Sequence, residues 1–308
     1  MKIKPRTLRT VKENAELGAL ALPAVILVTL FSYLPMFGIV LAFKNFKVTK
    51  GIFGSDWADP IYKNFQFFLT SKDAPQIIRN TLSLNLLFIF FSILCAVIFA
   101  LLLYEVKKPW QIKTYQTFSI LPCFLSWVAV GYIVYGLLEP TKGILNQIIE
   151  FFGGEGISWY TVPEYWPTIL VVVNVWHNVG LNCIMYYAAL MGIDNQLFEA
   201  AEMDGASKFR RIWHISLPHL VPIITIKGLM DIGQIFRADF GLFYNVTRNM
   251  GELYAVTDVM DTYVFRSLRS GNIGMSSASS VIQSVVCFIT IIVANKIVKK
   301  ISPENALF

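Results

Sequence analysis

The chain has 308 residues, of which 55% are apolar and only 15% are charged, whereas an average soluble domain carries about 25% charged residues. This composition excludes a soluble globule and predicts a membrane protein, because the apolar residues gather into stretches long enough to cross about 30 Å of hydrocarbon as helices. The net charge of +6 lies mostly beside these stretches, which fits the positive-inside rule and not nucleic-acid binding.

Six apolar stretches predict six transmembrane helices in an all-α membrane protein. One membrane domain, 15–300, lies between a short N-terminus, 1–14, and a tail, 301–308, with spans at about 15–43, 80–104, 117–138, 166–190, 220–244 and 276–297. Six crossings place both termini on one side of the membrane. Lys and Arg are denser in the segments on that side than in the other loops, so both termini are predicted to be cytoplasmic.

The first stretch follows several basic residues, as in a signal peptide. It is too long for one and has no small-residue cleavage site, so we expect a retained span. Pro23 and Pro35 within it predict a kink or an interfacial helix. The long aromatic loop 44–79 favours a small packed element on the outer face. The four cysteines lie in apolar stretches without metal-ligand or disulfide spacing, and we expect them in the core.

In the fourth span, polar and aromatic side chains interrupt an aliphatic helix at mid-depth: Asn174, Trp176, His177 and Asn178. An indole can stack on the apolar face of a sugar ring while carboxamides bond its hydroxyls, so Trp176 with Asn174 or Asn178 suits carbohydrate. His177 is a candidate proton carrier if the protein is a secondary transporter. The alternative is a buried histidine whose ring nitrogens have hydrogen-bond partners.

The loop 191–218 between the fourth and fifth spans is polar yet patterned. Two short helices are predicted in it. Asp194 or Asn195 caps the first, which reaches Asp204 and ends before Gly205. Ser207 caps the second, which runs to about Ile215. The small residues Ala200, Ala201 and Gly205 permit close approach of a partner backbone, and the charged residues around them allow directional pairs. We therefore expect a surface that docks into a cleft. The alternative is an amphipathic loop lying on the membrane.

This loop resembles the EAA signature of ABC importer permeases. The spacing Glu-Ala-Ala, three residues, Gly, nine residues, Ile, one residue, Leu-Pro is matched at every fixed position by Glu199, Ala200, Ala201, Gly205, Ile215, Leu217 and Pro218. The resemblance extends over about residues 15–300. Segments 33–44, 51–55 and 79–82 are similar to the oligosaccharide (LplB-type) branch of the maltose-permease-like family.

The resemblance implies a MetI-like type I importer permease fold with six transmembrane helices in a bacterial plasma membrane. It implies a second, homologous permease, two cytoplasmic ABC ATPase subunits that bind ATP and Mg²⁺, and an extracellular lipid-anchored oligosaccharide-binding protein. The motif would be a coupling helix in a groove of one ATPase subunit, with Glu199 and Gly205 as contacts and Asp204 beside them. The chain itself would hold no cofactor or metal and would hydrolyse nothing, and the sequence contains neither a GxxxxGK[ST] loop nor an HExxH pair.

The fifth span carries ionisable side chains that cannot face lipid. At spacings of three and four residues, one helix face would hold Lys227, Asp231, Gln234 and Arg237. Either Lys227 pairs with Asp231 and the face packs against the partner permease, or the face lines a polar path for sugar hydroxyls. By family position the resemblance places the substrate pocket near Trp127, Trp176, Asn178, Asp231, Gln234, Ile235 and Ala238.

The sequence therefore predicts the transmembrane subunit of an ATP-driven oligosaccharide importer, which couples closure of the ATPases to alternating access of its cavity. One alternative is a secondary transporter or channel that is driven by an ion gradient and uses the charged fifth span. Another is an intramembrane enzyme that uses His177 with Asp231, which no nucleophile–base spacing supports. The sequence leaves the identity of the sugar open.

Overall fold

The computed structural model describes residues 5–307, which fold as helices joined by turns. Within this range the α-helices are α1 Pro5–Val28, α2 Gly51–Gly54, α3 Lys63–Leu69, α4 Ala74–Tyr104, α5 Pro109–Ile120, α6 Trp127–Leu138, α7 Ile144–Phe151, α8 Trp166–Met191, α9 Asn195–Met203, α10 Lys208–Arg211, α11 Leu217–Ile232, α12 Phe240–Val246, α13 Tyr254–Thr257, α14 Met260–Arg269 and α15 Ile273–Ile301. Extended backbone pairs only at a single bridge between Lys44 and Trp57 in this range.

Among the described residues, five helical segments are long and apolar enough to cross a membrane: Leu17–Phe43, Ala74–Tyr104, Pro163–Met191, Lys208–Ile232 and Ile273–Ile301. A sixth arises if the bent pair of α5 and α6 forms one span. The predicted all-α membrane fold is thereby confirmed. The second span begins at Ala74, six residues before the predicted start, because Asn80 and Thr81 lie buried inside a continuous helix.

The third span is broken, whereas the sequence predicted one helix over 117–138. Pro109–Phe124 and Trp127–Leu138 meet at 100°. Pro122 lies in a 3-10 turn before the break, and Ser126 starts the second helix by accepting a hydrogen bond from the Ala129 amide over 3.3 Å. A proline that lacks an N–H, followed by a residue that caps a new helix, accounts for the bend.

The fifth span ends twelve residues earlier than the predicted 220–244, because α11 stops at Ile232. The chain continues from Gly233 in tight turns, such as the hydrogen bond from the Gln234 amide to the Asp231 carbonyl over 3.0 Å. It then enters α12, where the Asp239 carboxylate accepts a hydrogen bond from the Leu242 amide over 3.3 Å. The segment 233–239 is therefore a non-helical break between α11 and α12.

Helices α4 and α8 pack against each other as the central pair. Toward the start of α4, residues such as Leu84 and Phe88 pack with α6, α8 and α12. Toward its end, residues such as Ala96 and Leu103 pack with α8 and with Leu220 of α11. At about 1.5 Å per residue α4 is about 46 Å long, so it links the two ends of the molecule.

Candidate functional site: a polar cavity and a helical arm

A polar cavity of about 610 Å³ opens between α4, α8, α11 and the break 233–239. Its polar lining residues are Asn85, Ser92, Asn174, Asn178, Asn182, Lys227, Asp231, Gln234, Arg237, Asp239 and Asp261. Its apolar lining residues are Phe88, Ile89, Ile235, Ala238 and Phe240. Six of the predicted pathway residues thus come together around one space: Asn174, Asn178, Asp231, Gln234, Ile235 and Ala238.

Three carboxamides of α8 face this cavity in a row. Asn174, Asn178 and Asn182 are four residues apart, so they share one side of the helix. The Asn178 amide donates to the Asn174 carbonyl over 3.0 Å, and the Ser92 hydroxyl of α4 donates to the Asn174 side-chain oxygen over 3.3 Å. Sequence reasoning missed Asn182, although the same four-residue spacing indicates it. It also missed Ser92 and Asn85, whose positions depend on how α4 packs.

Trp176 does not line this cavity, contrary to the sequence prediction. Its side chain is 41% exposed and lines two apolar grooves with residues such as Phe91, Cys95 and Val179. The physical reason is helical geometry, because two residues correspond to about 200° of rotation and turn Trp176 away from Asn174 and Asn178. A sugar ring cannot contact the indole and these carboxamides together in this structure.

Trp127 and His177 hold the edge of the cavity instead. The Trp127 ring stacks on His177 with centroids 4.1 Å apart, and its Nε1 donates to Asp239 Oδ2 over 2.7 Å. His177 is 7% exposed, with Nε2 3.1 Å from the Leu125 carbonyl oxygen and Nδ1 3.4 Å from Asn178 Oδ1. This is the buried, hydrogen-bonded histidine of the sequence analysis. Trp127 acts on the cavity by positioning Asp239.

The break 233–239 is tied to three other helices by side chains. Asn85 of α4 donates to the carbonyls of Ile235 and Arg237 over 2.7 and 3.1 Å. Gln283 of α15 donates to the Phe236 carbonyl over 2.6 Å and to Asp261 over 2.9 Å. Asp261 of α14 also accepts from the Ala238 amide over 2.7 Å. Non-helical backbone that packs among apolar helices needs such partners, because an unpaired buried carbonyl or amide costs free energy.

Burial raises the pKa of the Asp261 carboxyl above its usual value. The two hydrogen bonds that it accepts and the nearby Arg237 act in the opposite direction, and burial has the larger effect. The charged form of this carboxyl is therefore less favoured than in water, although its oxygen holds the break in place.

The charged and polar residues of the cavity do not all lie on one face of a helix, whereas the sequence predicted that they would. The Lys227 ammonium contacts both carboxylate oxygens of Asp231 within α11, as the pairing interpretation expected. Gln234 and Arg237 do not extend that face, because the helix ends at Ile232. They reach the cavity from the break. Arg237 has an exposed side chain and makes no ion pair with residues 17–66 or 70–307, the part of the chain whose side chains are described.

The loop 191–218 forms a helical arm, a name that we keep for residues 191–218. The Asp194 carboxylate accepts from the Gln196 amide over 3.0 Å and starts α9. Gly205 has a φ of +73°, a left-handed conformation that glycine adopts readily. The Ser207 hydroxyl accepts from the Arg210 amide over 3.4 Å. These three local predictions are confirmed.

The second helix of the arm does not end near Ile215 as predicted. It runs from α10 through a π-helical turn, Ile212–Ser216, directly into α11. Ile215 and Leu217 pack against the core between α4, α8 and α11, so their role is to anchor the arm. The exposed residues of the motif are Glu199, Ala200, Asp204, Gly205 and Pro218, while Ala201 is half-buried.

Contacts with the end of α4 fix the arm. The Phe198 ring lies 5.7 Å from the Tyr104 ring between centroids and packs against the core. Lys208 Nζ lies 3.0 Å from Glu105 Oε2, and Arg211 joins the two helices of the arm through Glu202 over 3.1 Å. Asn85 of the cavity and Glu105 beside the arm are 20 residues apart, about 30 Å along α4.

Comparison with known proteins identifies relatives over nearly the whole chain. Residues 77–303 match the family described as "Binding-protein-dependent transport system inner membrane component". Protein LplB of Bacillus subtilis (strain 168) is 34% identical over 295 residues, which cover 96% of this chain and 92% of that protein. The polygalacturonan/rhamnogalacturonan transport system permease protein YteP of the same strain is 34% identical over 306 residues, which cover 98% of this chain and 93% of that protein.

Solved structures show the same architecture. A crystal structure of a bacterial ABC transporter involved in the import of the acidic polysaccharide alginate matches with a TM-score of 0.85 and 29% identity, over 96% of this chain and 99% of that chain. A second crystal structure holds the bacterial alginate ABC transporter in complex with a periplasmic protein bound to an alginate pentasaccharide. It matches with a TM-score of 0.85 and 28% identity, over 96% of this chain and 98% of that chain.

Proposed function

The chain belongs to the family of inner membrane components of binding-protein-dependent transport systems, and from this premise we propose that it is the permease through which an ATP-driven importer moves oligosaccharides. The relatives named above include permeases for polygalacturonan/rhamnogalacturonan and for alginate. The cavity suits such cargo, because carboxamides offer both donors and acceptors to sugar hydroxyls. The row of Asn174, Asn178 and Asn182 supplies them along one wall.

The pathway that we propose uses the residues that line the cavity. Asn174, Asn178 and Gln234 bond hydroxyls, while Ile235 and Ala238 offer apolar contact. Lys227 neutralises Asp231, so this pair presents polarity without a net charge. The pairing also argues against a carrier that uses Asp231 as a free ion site, because its carboxylate is already occupied by an ammonium group.

Coupling is assigned to the helical arm. We place the exposed Glu199, Ala200, Asp204 and Gly205 in a groove of an ABC ATPase subunit, with Ala201 beneath them and Ile215, Leu217 and Pro218 anchoring the arm to α11. The partners are a second homologous permease, two ATPase subunits that bind ATP and Mg²⁺ and carry out hydrolysis, and an extracellular lipid-anchored binding protein. This chain transmits motion and contributes no catalytic residue.

The orientation follows from this assignment and from the charge distribution. One membrane domain, 15–300, lies in a bacterial plasma membrane with the arm, the N-terminus and the tail, 301–308, on the cytoplasmic side. The tail supports this arrangement, because Pro303–Asn305 packs against α11, the helix that leaves the arm. The Leu307 amide also donates to Asn295 over 2.7 Å.

The observation that carries the proposal is the exposed turn at Gly205, on an arm that is fixed to α4. An added Cβ at Gly205 meets no atom of the described residues within 4 Å, so within this chain a side chain there meets only the strain of the left-handed backbone, and its bulk would obstruct a partner. Valine adds bulk and resists the left-handed conformation, whereas asparagine adds bulk and tolerates it.

The test compares Gly205→Val with Gly205→Asn by co-purification of the ATPase subunits and by uptake into cells. We expect Gly205→Val to insert normally but to lose ATPase association and uptake. Loss in Gly205→Asn as well would show that docking requires the absence of a side chain. The control is Gly251→Asn, at another glycine whose added Cβ meets nothing within 4 Å. Normal association and uptake in Gly205→Val would refute the coupling assignment.

A further inference from the structure

A second pocket, of about 580 Å³, lies at the end of the molecule opposite the helical arm. It is lined by Asp73, Tyr244, Asn249, Tyr263, Phe265, Arg266, Ser267, Arg269 and Ser270. Distances along helix α4 show that this pocket and the helical arm lie on opposite sides of the cavity. Asp73 precedes Asn85 of the cavity by 12 residues, about 18 Å, while Glu105 beside the arm follows Asn85 by about 30 Å. In the orientation proposed above, this outer pocket lies on the side from which substrate arrives.

Three aromatic rings connect the outer pocket with the cavity. Phe240 lines the cavity, whereas Tyr244 and Phe265 line the outer pocket. Their ring centroids are 5.0 Å apart between Phe240 and Tyr244, 4.7 Å between Phe240 and Phe265, and 5.2 Å between Tyr244 and Phe265. The rings pack as one half-buried aromatic cluster between the two pockets, and an accessible face of such a ring can stack on the apolar face of a sugar ring.

The two arginines of the outer pocket have different surroundings. Arg266 is engaged on one side, because its Nη2 bonds Asp258 and its guanidinium lies 4.3 Å from the Tyr254 ring centroid, while its buried Nη1 has no hydrogen-bond partner among the described residues. Arg269 is exposed, lies 5.8 Å from the Phe265 ring centroid, and has no ion pair with the residues whose side chains the structure describes, 17–66 and 70–307. A guanidinium beside an aromatic face can bind a carboxylate through paired N–H groups.

We propose that the outer pocket is an entry subsite for a uronate unit, a sugar ring that carries a carboxylate. The ring stacks on Phe265 with its edge against Tyr244, its carboxylate binds the guanidinium of Arg269, and its hydroxyls bond Asn249 and Ser270. From there the chain of sugars follows Phe240 into the cavity. This inference rests on the proposed function, because it assumes that oligosaccharides pass through the cavity.

The test measures binding to the purified assembly of permeases and ATPases without the binding protein, by saturation-transfer NMR titration. The probes are trigalacturonate and the same trisaccharide with its carboxyl groups reduced to alcohols. We expect Arg269→Gln to weaken binding of trigalacturonate roughly five- to tenfold, the effect of one charge-assisted hydrogen bond at a partly exposed site, and to leave the reduced probe unchanged. Phe265→Leu should weaken binding of both probes.

The matched control is Lys72→Gln, which removes an exposed cation next to Asp73 that does not line the pocket, and it should change neither affinity. Unchanged affinity for trigalacturonate in Arg269→Gln would overturn the subsite. Equal weakening of both probes by Arg269→Gln would also overturn it, since the arginine would then act on the structure or hold a protein group. Normal uptake of oligosaccharides by cells in either case would leave the proposed function intact, whereas absent uptake by the wild-type transporter would refute that function separately.

Discussion

The side-chain amide of Asn85 donates a hydrogen bond to the main-chain carbonyl of Ile235 over 2.7 Å. Asn85 lies in the first half of α4, and Ile235 lies in the break after α11. The same amide reaches the Arg237 carbonyl over 3.1 Å. One buried side chain therefore satisfies two carbonyls of the non-helical break, and it attaches the cavity wall to α4.

Replacing Asn85 by leucine should destabilise this wall. Leucine keeps much of the volume but cannot donate, so two buried carbonyls lose their partner, at a cost of about 1–3 kcal/mol. We expect a lower unfolding temperature of the purified protein and reduced uptake. Ser83→Ala is the control, because Ser83 is exposed and bonds only the Asn80 carbonyl of its own helix. An unfolding temperature equal to that of wild type would mean that the Asn85 bonds do not stabilise the break.

A second prediction separates the two faces of α8. Asn178→Ala removes a carboxamide from the cavity and should lower the affinity for oligosaccharide by about 1 kcal/mol, or roughly fivefold. Trp176→Leu changes only the apolar grooves on the other face and should leave the uptake kinetics unchanged. The measurement is the initial rate of uptake over a range of substrate concentrations. Impaired uptake in Trp176→Leu with normal uptake in Asn178→Ala would contradict the geometry described above.

The third prediction concerns how the stability of the protein depends on pH. Because burial raises the pKa of Asp261, the folded protein holds this proton more tightly than the unfolded chain does. The stabilisation from this proton is fully present below the unfolded pKa of about 3.9 and is lost as the pH rises through the folded pKa. Asp261→Asn keeps an oxygen acceptor for the Ala238 amide but has no group that titrates. It should therefore flatten the dependence of the unfolding temperature on pH between the unfolded and folded pKa values of Asp261.

Asp56 serves as a control, because its pKa is shifted in the opposite direction from that of Asp261. Its pKa is lowered by the hydrogen bond and charge of Lys50, so its contribution is present above the unfolded pKa and is lost as the pH falls through the folded pKa. Asp56 is fully exposed, and its effect should be small. A pH profile of Asp261→Asn that matches the wild-type profile would show that Asp261 does not titrate differently in the folded protein.

Much of the fold could be predicted because it depends on local signals. Apolar length indicates the spans, and capping residues such as Asp194 and Ser207 with Gly205 fix the arm. The carboxamide Asn178 and the pair of Lys227 with Asp231 follow from four-residue spacing along a helix. Each of these signals lies within one continuous stretch of the sequence, so a single sequence contains all of it.

The rest depends on contacts that are distant in sequence. Gly233 is a weak helix breaker by itself. Helix α11 ends there because the side-chain amides of Asn85 and Gln283 donate hydrogen bonds to the carbonyls that follow. The bend at Pro122 is stabilised in the same way by His177, whose ring nitrogen contacts the Leu125 carbonyl oxygen. Trp176 was misplaced because the chemistry of an indole suits sugars wherever it lies, whereas only rotation about α8 decides which face it occupies.

The last prediction concerns how the helical arm moves α4. The Glu105–Lys208 ion pair joins side chains that are 37% and 67% exposed, and such pairs contribute only about 0–1 kcal/mol. Phe198, in contrast, packs on Tyr104 and the core. Phe198→Ala removes that apolar contact, which is worth about 3 kcal/mol or more if the ring is well buried and less at this half-buried site. We therefore expect Phe198→Ala to impair coupling more than Lys208→Gln.

The measurement is the number of oligosaccharide molecules imported per ATP hydrolysed in proteoliposomes that contain the assembled transporter. In Phe198→Ala this ratio should fall severalfold, while the ATPase subunits stay bound, because the exposed surface at Ala200 and Gly205 is unchanged. Lys208→Gln should keep a nearly normal ratio. If Phe198→Ala transported with the wild-type ratio, the force would have to reach the cavity through the continuous helix from α10 to α11, and the contact with Tyr104 would only support the arm.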